Sequence, residues 1–177
     1  AFATSTPLVA IGAGISAVIL MFPLITYKDA HPWNIVMLGG FTLCEAYSVG
    51  FVCALYAKNG DDSLVLSALV VTATIFVGLS GYVHITRRDF ECLSAYLIVS
   101  LFALLALGLV SVFVTAPFLH IAIAYGGILV FSGFVLYDTS QMIKYMSPDD
   151  AIVASVQLYL DIVNLFLYIL QCLITRE

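Results

Sequence analysis

Long apolar runs follow one another along the whole chain, separated by short polar connections. Six such segments are apparent, at residues 7–27, 34–57, 63–85, 91–114, 117–143 and 149–174. Each is long enough to cross the hydrocarbon core of a bilayer, about 30 Å thick, as a helix. Continuous rather than alternating apolar runs favour helices over a β-barrel, because a helix satisfies its backbone hydrogen bonds within one segment. The pattern predicts an all-α, polytopic membrane helix bundle with six transmembrane helices.

Composition supports a membrane protein and excludes several other classes. Hydrophobic residues make up 63% of the 177 residues and charged residues only 10%, with a mean hydropathy of +1.12. The net charge of −5 argues against nucleic acid as a partner, which usually needs a basic surface. The cysteines are scattered without a CxxC pair, so neither zinc nor a redox dithiol is indicated. Because every connection is short, we expect residues 1–177 to form a single transmembrane domain.

The basic residues of the connections predict an orientation. One set of alternate connections carries Lys28, Arg87, Arg88 and Lys144, and the other carries Lys58 and Arg176. Basic residues favour the cytosolic side, which places the first set in the cytosol, or in the matrix if the membrane is mitochondrial. We expect the Arg87–Arg88 pair, just after His84, to anchor the chain at an anionic leaflet surface.

The start of the chain predicts a further helix upstream. Ala1 is not an initiating methionine, and no basic stretch precedes the first apolar run as it would in a signal peptide. We therefore expect the six segments to follow a first helix that this sequence does not include. That helix would return the original N-terminus to the basic side.

Three carboxylates lie inside the apolar segments. They are Glu45 in the second segment, Asp138 in the fifth and Asp161 in the sixth. An ionised Asp at the bilayer centre costs about 2.5 to 3.5 kcal/mol on insertion scales, so such residues usually face the bundle interior and mark a pathway. The turn at residues 147–150 makes the last two segments an antiparallel hairpin, with Asp138 and Asp161 at similar depth.

Further polar residues accompany these acids. Gln157, Asp161, Asn164 and Gln171 recur at helical spacing along the sixth segment. This stripe predicts either an inward face turned toward water or a ladder of interhelical hydrogen bonds. For Glu45, a hydrogen bond to a neighbouring helix and a role in ion or proton movement both remain open.

Five motifs in order resemble the Bax inhibitor motif family of membrane proteins, especially its lifeguard branch. They are HPWN at 31–34, FTLCEAYSVG at 41–50, TRRDF at 86–90, LYDTSQMI at 136–143, and SPDD at 147–150 followed by LYLDIVNLFLYIL at 158–170. Members of that family have seven transmembrane helices. The resemblance implies that this chain holds helices two to seven.

The resemblance also implies a function. It indicates a pH-sensitive calcium leak channel or calcium/proton exchanger that suppresses cell death, in the endoplasmic reticulum or Golgi first and the mitochondrial inner membrane second. Asp138 and Asp161 match the family's pH sensor and latch. Two close carboxyl groups in a low-dielectric site can share one proton and titrate as a unit.

The expected ligands are calcium and protons as permeant species, with no tightly bound cofactor. Calcium prefers several oxygen ligands, so Asp138 and Asp161 are candidate metal ligands, and Glu45, Gln157 and Asn164 are candidate residues of the ion pathway. Some bacterial relatives pair the sensor with an arginine in the second family helix. Residues 7–27 hold no basic residue, so the resemblance does not extend to that cationic part of the latch.

Two other functions remain as alternatives. A structural subunit that keeps the family fold within a larger membrane assembly is compatible with the short loops. An intramembrane aspartyl protease also uses two membrane-embedded aspartates, but Asp161 lies in YLD rather than GxGD and no PAL sequence follows. We expect no enzymatic activity.

Overall fold

A computed structural model describes residues 7–27, 30–58, 62–114, 116–147 and 150–175. The six helices are α1 (Pro7–Thr26), α2 (Trp33–Lys58), α3 (Asp62–Thr86), α4 (Ser94–Phe113), α5 (Pro117–Lys144) and α6 (Ala151–Ile174). Each is long and apolar enough to cross a membrane, and the described residues contain no strand. The prediction of an all-α membrane fold with six spanning helices is confirmed. The protein is an integral, multi-pass membrane protein.

The helices end where local chemistry stops them. Ala116 is extended and Pro117 occupies the first position of α5, where a missing N–H costs nothing. Before α6, the backbone N–H and hydroxyl of Ser147 donate to Asp150 Oδ2 at 3.2 and 2.9 Å. The predicted break at 147–150 is therefore confirmed, although Pro148 and Asp149 lie outside the described residues.

The connection between α3 and α4 differs from the prediction. Arg87 ends α3 in the left-handed region, with φ of 49°. Asp89 Oδ1 then accepts a hydrogen bond from the Glu91 N–H at 3.0 Å, and a short 3₁₀ turn covers Glu91–Leu93. The regular helix α4 therefore starts at Ser94, three residues later than the apolar run suggested.

The chain divides into two compact units. Unit 1 holds residues 1–65 with 147–156, and unit 2 holds residues 66–146 with 157–177. In unit 1, α1 packs on α2, and the Ser48 hydroxyl donates to the Ala10 carbonyl at 3.2 Å. A Cβ at Gly14 would lie 3.4 Å from the Ser48 Oγ, so small residues allow this close contact.

In unit 2, α5 packs against α4 and α6 through its glycines. A Cβ at Gly133 would lie 2.7 Å from Leu97 of α4, and one at Gly127 would overlap the Tyr168 ring of α6. The helices approach this closely because the two glycines carry no side chain. The spans of α5 and α6 are each 33% buried, against 11% for α2, α3 and α4, so these two helices are the most enclosed.

Some predictions fall outside what the structure tests. Lys28, Arg176 and the side chain of Lys58 lie outside the described part of the chain. Two statements stay predictions: that residues 1–177 form a single transmembrane domain, and that a further helix lies upstream of α1.

Candidate di-aspartyl site

The buried face of α5 positions Asp138. Ala124, Gly127, Phe131, Val135 and Asp138 recur at spacings of three and four residues, and all are buried. This spacing places them on one side of a helix. Asp138 is therefore the polar end of an otherwise apolar packing face.

The matching face of α6 positions Asp161. Asp161, Leu165, Ile169 and Cys172 are buried and follow the same three- and four-residue spacing. Buried side chains on its C-terminal side shield the carboxyl group from water. Its surroundings are those of a core residue rather than of a surface acid.

Two contacts fix how α5 and α6 pair. The rings of Phe131 and Tyr168 stack with centroids 5.6 Å apart. Asp138 lies seven residues further along α5, and its partner Asp161 lies seven residues back along α6. Equal steps in opposite directions show an antiparallel register held over two helical turns, about 10 Å.

The two carboxyl groups form a direct pair. Asp138 is 8% exposed and Asp161 is 5% exposed, and their carboxyl groups lie within hydrogen-bonding reach of each other. An ionised carboxylate only accepts hydrogen bonds, so a hydrogen bond between the two groups requires a proton on one of them. The structure thus brings together the two aspartates that the sequence singled out.

Two buried oxygen atoms of the site, one of them in the pair itself, lack a hydrogen-bond donor. Asp161 Oδ2 and Gln157 Oε1 are buried, and neither has a partner among the described residues. Gln157 precedes Asp161 by four residues, one turn of α6, so both side chains lie on one side of the helix. Buried acceptors without donors are costly, and they are suited to a water, a proton carrier or a cation.

The predicted polar stripe of α6 is only partly buried. Asp161 lies in the core face, whereas Gln157, Asn164 and Gln171 are half-buried beside it. The Asn164 amide donates to the Leu160 carbonyl of its own helix at 2.8 Å. The Asn164 amide N–H therefore finds its hydrogen-bond acceptor within α6 rather than on another helix.

Glu45 belongs to the other unit. It lies on α2 in unit 1, and its side chain is half-buried. Its part in an ion pathway stays a prediction. Within the described residues, no group of three or more His, Cys, Asp or Glu side chains could hold a metal ion. Calcium takes six to eight oxygens, from carboxylates, carbonyls and waters, and the binding of calcium by Asp138 and Asp161 stays a prediction.

Sequence reasoning missed the polar neighbours of Asp138. Thr139 and Ser140 are buried at 4% and 0% exposure. Ser140 Oγ donates to the Tyr137 carbonyl at 2.8 Å, and Thr139 Oγ1 lies 3.4 Å from Ser80 Oγ of α3. Three consecutive polar residues in an apolar helix are the signal that would have identified them. They join the site to α3.

A second cluster, unpredicted from the sequence, lies at the end of α5. Asp89 Oδ2 accepts a hydrogen bond from the Tyr145 hydroxyl at 2.6 Å and lies 3.3 Å from Lys144 Nζ. The Tyr145 hydrogen bond holds the pKa of Asp89 below its usual value, and the Glu91 N–H and Lys144 add to this. The same hydrogen bond raises the pKa of Tyr145. We call Asp89, Lys144 and Tyr145 the loop clamp.

Comparison with known proteins shows the family of this chain. Residues 1–177 match the family described as "Inhibitor of apoptosis-promoting Bax1". The chain belongs to this Bax inhibitor family. The resemblance seen in the five motifs is therefore confirmed over the whole sequence.

The relatives come from a virus, an animal, a plant and a fungus. The chain is 36% identical over 172 residues to the Golgi anti-apoptotic protein of Vaccinia virus (strain Lister), and 33% identical over 172 residues to protein lifeguard 4 of Mus musculus. Each alignment covers 97% of this chain and 71% of the relative. Bax inhibitor 1 of Schizosaccharomyces pombe is 34% identical over 158 residues, covering 89% of this chain and 58% of the relative.

Proposed function

We propose that this Bax inhibitor family member is a pH-sensitive calcium leak channel or calcium/proton exchanger of an intracellular membrane. Asp138 and Asp161 act as its proton-sensing latch. The observation that carries the proposal is the burial of the two carboxyl groups beside each other. The proposal assigns transport to the protein and no enzymatic activity.

The proton on the pair sets the packing of α5 against α6. With one proton shared, the two groups attract and the hairpin stays closed. Without it, two like charges face each other in a low-dielectric interior, where repulsion is poorly screened. Separation of the helices then admits water or a cation. Proton loss thus favours the open state.

The oxygens around the pair support a cation as the permeant species. Deprotonation leaves two carboxylates, and the Oε1 of Gln157 lies one turn away on the same side of α6. Calcium binds carboxylate and amide oxygens and completes its shell with water. A transient site of three protein ligands suits passage rather than tight retention. Asn164, on the same helix and in the same unit as Asp161, is a further candidate residue of the route.

The names of the relatives support the cellular role. The viral relative is called a Golgi anti-apoptotic protein and the yeast relative a Bax inhibitor. We propose that this protein likewise suppresses cell death, through calcium homeostasis, in the Golgi or the endoplasmic reticulum, with the mitochondrial inner membrane as the alternative location.

Calcium flux into proteoliposomes tests the proposal. Purified protein is reconstituted around a calcium dye, and flux is measured from pH 5 to 8. We expect flux that depends on pH in the wild type and loses that dependence in Asp138→Asn and Asp161→Asn. Glu91→Gln is the matched control, because Glu91 is an exposed acid outside the pair, and it should behave as wild type.

Two results contradict the proposal. One is a pH dependence that survives both Asn substitutions unchanged. The other is the absence of flux from folded wild-type protein together with stoichiometric co-purification of other subunits in mild detergent. The second result supports the structural role in a larger assembly.

A further inference from the structure

A groove opens between α3 and α5 within unit 2. Its volume is about 530 Å³, in the range of ligand pockets, and its lining is largely apolar. Val77, Gly81 and His84 line it from α3, and Thr139 and Ile143 line it from α5. None of these residues belongs to the aspartate pair.

The groove has about the length of one lipid leaflet. On α3 it extends from Phe76 to Ile85, about 14 Å at the helical rise. Half of a bilayer core is about 15 Å thick. The groove stops one residue before the end of α3 at Thr86, so it begins at one membrane surface and extends toward the midplane.

Basic residues stand at the surface end of this groove. His84 is in its wall, and Arg87 and Arg88 follow directly and are exposed. Neither arginine forms an ion pair with any residue that the structure describes. The nearby acid Asp89 is already paired with Lys144 at 3.3 Å, and Glu91 is exposed on the 3₁₀ turn. Two arginine charges thus remain available to a ligand.

We propose that this groove binds an anionic phospholipid, with one acyl chain between α3 and α5 and the phosphate-bearing headgroup at Arg87 and Arg88. Basic side chains at a leaflet surface attract anionic headgroups. An apolar channel of leaflet length beneath them matches the attached chain. This combination selects a lipid over a soluble anion, which would leave the apolar wall uncovered.

Native mass spectrometry of the full chain in mild detergent tests the site. The probes are dioleoyl phosphatidylserine and dioleoyl phosphatidylcholine, which differ only in the headgroup. We expect wild type to prefer phosphatidylserine. The double variant Arg87→Gln/Arg88→Gln should lose about fivefold in phosphatidylserine affinity for each arginine removed, and should change little toward phosphatidylcholine.

The groove itself is tested with a matched pair of glycine variants. A Cβ at Gly81 or Gly78 would meet no atom within 4 Å, so both positions accept a larger side chain. Gly81 lines the groove and Gly78, three residues earlier on α3, does not. We expect Gly81→Leu to lose at least tenfold in affinity for both lipids and Gly78→Leu to bind as wild type. Val77→Phe, at a lining residue that is 68% exposed, gives a second way to fill the groove.

Each outcome decides the proposal, once thermal unfolding shows the variants folded. Loss of both lipids in Gly81→Leu and Val77→Phe, with loss of headgroup preference in the arginine variant, supports it. Unchanged binding in the filled variants overturns it. So does a wild type that binds neither lipid.

Discussion

At the scale of single residues, the acids of this chain fall into two groups with opposite surroundings. Asp138 and Asp161 are buried against each other, with no cation among their described contacts. Asp89 has a side chain 38% exposed and lies between a lysine and a tyrosine hydroxyl. The first pair depends on a shared proton, whereas Asp89 is stabilised as an anion. The two groups should therefore respond to pH in different ranges.

A double-mutant cycle measures the aspartate pair. Asp138→Ala and Asp161→Ala each remove one partner of a buried hydrogen bond within the membrane. We expect a coupling of about 0.5 to 2 kcal/mol between the two sites, the size of hydrogen bonds between membrane helices. The measurement is the free energy of unfolding of both single variants and the double variant in mixed micelles. Strictly additive effects would show that the two side chains do not interact.

The loop clamp predicts a response to pH far from neutrality. The pKa of Asp89 is lower in the folded protein than in the unfolded chain. The Asp89 carboxylate therefore stabilises the fold above the unfolded pKa of about 4, and this stabilisation is lost as the pH falls through the folded pKa. The pKa of Tyr145 is higher in the folded protein than in the unfolded chain. The protonated Tyr145 hydroxyl therefore stabilises the fold below the unfolded pKa of about 10, and this stabilisation is lost as the pH rises through the folded pKa. Between pH 5 and 8 the clamp should stay formed.

Asp89→Asn and Tyr145→Phe test this range. We expect both variants to unfold more easily than wild type by the same margin at every pH from 5 to 8, and the margin for Asp89→Asn to shrink below pH 4. Their calcium flux should keep the pH profile of wild type. A flux profile that flattens in Asp89→Asn would place the pH sensor at the clamp instead of at the aspartate pair.

At the scale of helices, the sequence predicted the elements better than their contacts. Five of the six predicted segments begin and end within two residues of the helices, because proline and charged residues delimit the apolar runs. Asp138 and Asp161 could be predicted as partners because a buried charge needs one. The loop clamp could not be predicted from the sequence, because Asp89 and Tyr145 are 56 positions apart and each is an ordinary exposed residue in its own segment. The groove also depends on how two helices diverge, which no single segment encodes.

The packing of α5 on α6 depends on a glycine. A Cβ at Gly127 would overlap the Tyr168 ring, which stacks on Phe131. We expect Gly127→Ala to destabilise the protein by about 1 to 3 kcal/mol through overpacking, despite the better helix propensity of alanine. The measurement is the free energy of unfolding. Gly108→Ala on α4 is the control, because a Cβ there meets no atom within 4 Å.

A second substitution separates overpacking from other causes. If the clash with the ring is responsible, Tyr168→Ala should remove most of the additional cost of Gly127→Ala. The two changes would then be strongly non-additive. Equal destabilisation by Gly127→Ala with and without the ring would instead indicate an effect on the α5 backbone.

At the scale of the whole molecule, the loop clamp bears on the orientation in the membrane. The contact of Asp89 with Lys144 and Tyr145 places the α3–α4 connection and the end of α5 at one end of unit 2. Arg87, Arg88 and Lys144 therefore share that end. The connection between α4 and α5, at Ala116, lies at the far end of α4. Within unit 2, the described basic residues thus collect on one side.

Cysteine labelling in sealed microsomes tests which side that is. Cys92 is exposed beside the basic end, so a variant with Cys44, Cys53 and Cys172 changed to Ala keeps one natural probe there. A second variant lacks all four cysteines and carries Ala116→Cys. By the positive-inside rule, a membrane-impermeant maleimide added to the cytosolic side should label Cys92 at once, and the Ala116→Cys variant only after permeabilisation. The reverse pattern would place the basic end in the lumen, and with it the surface end of the lipid groove.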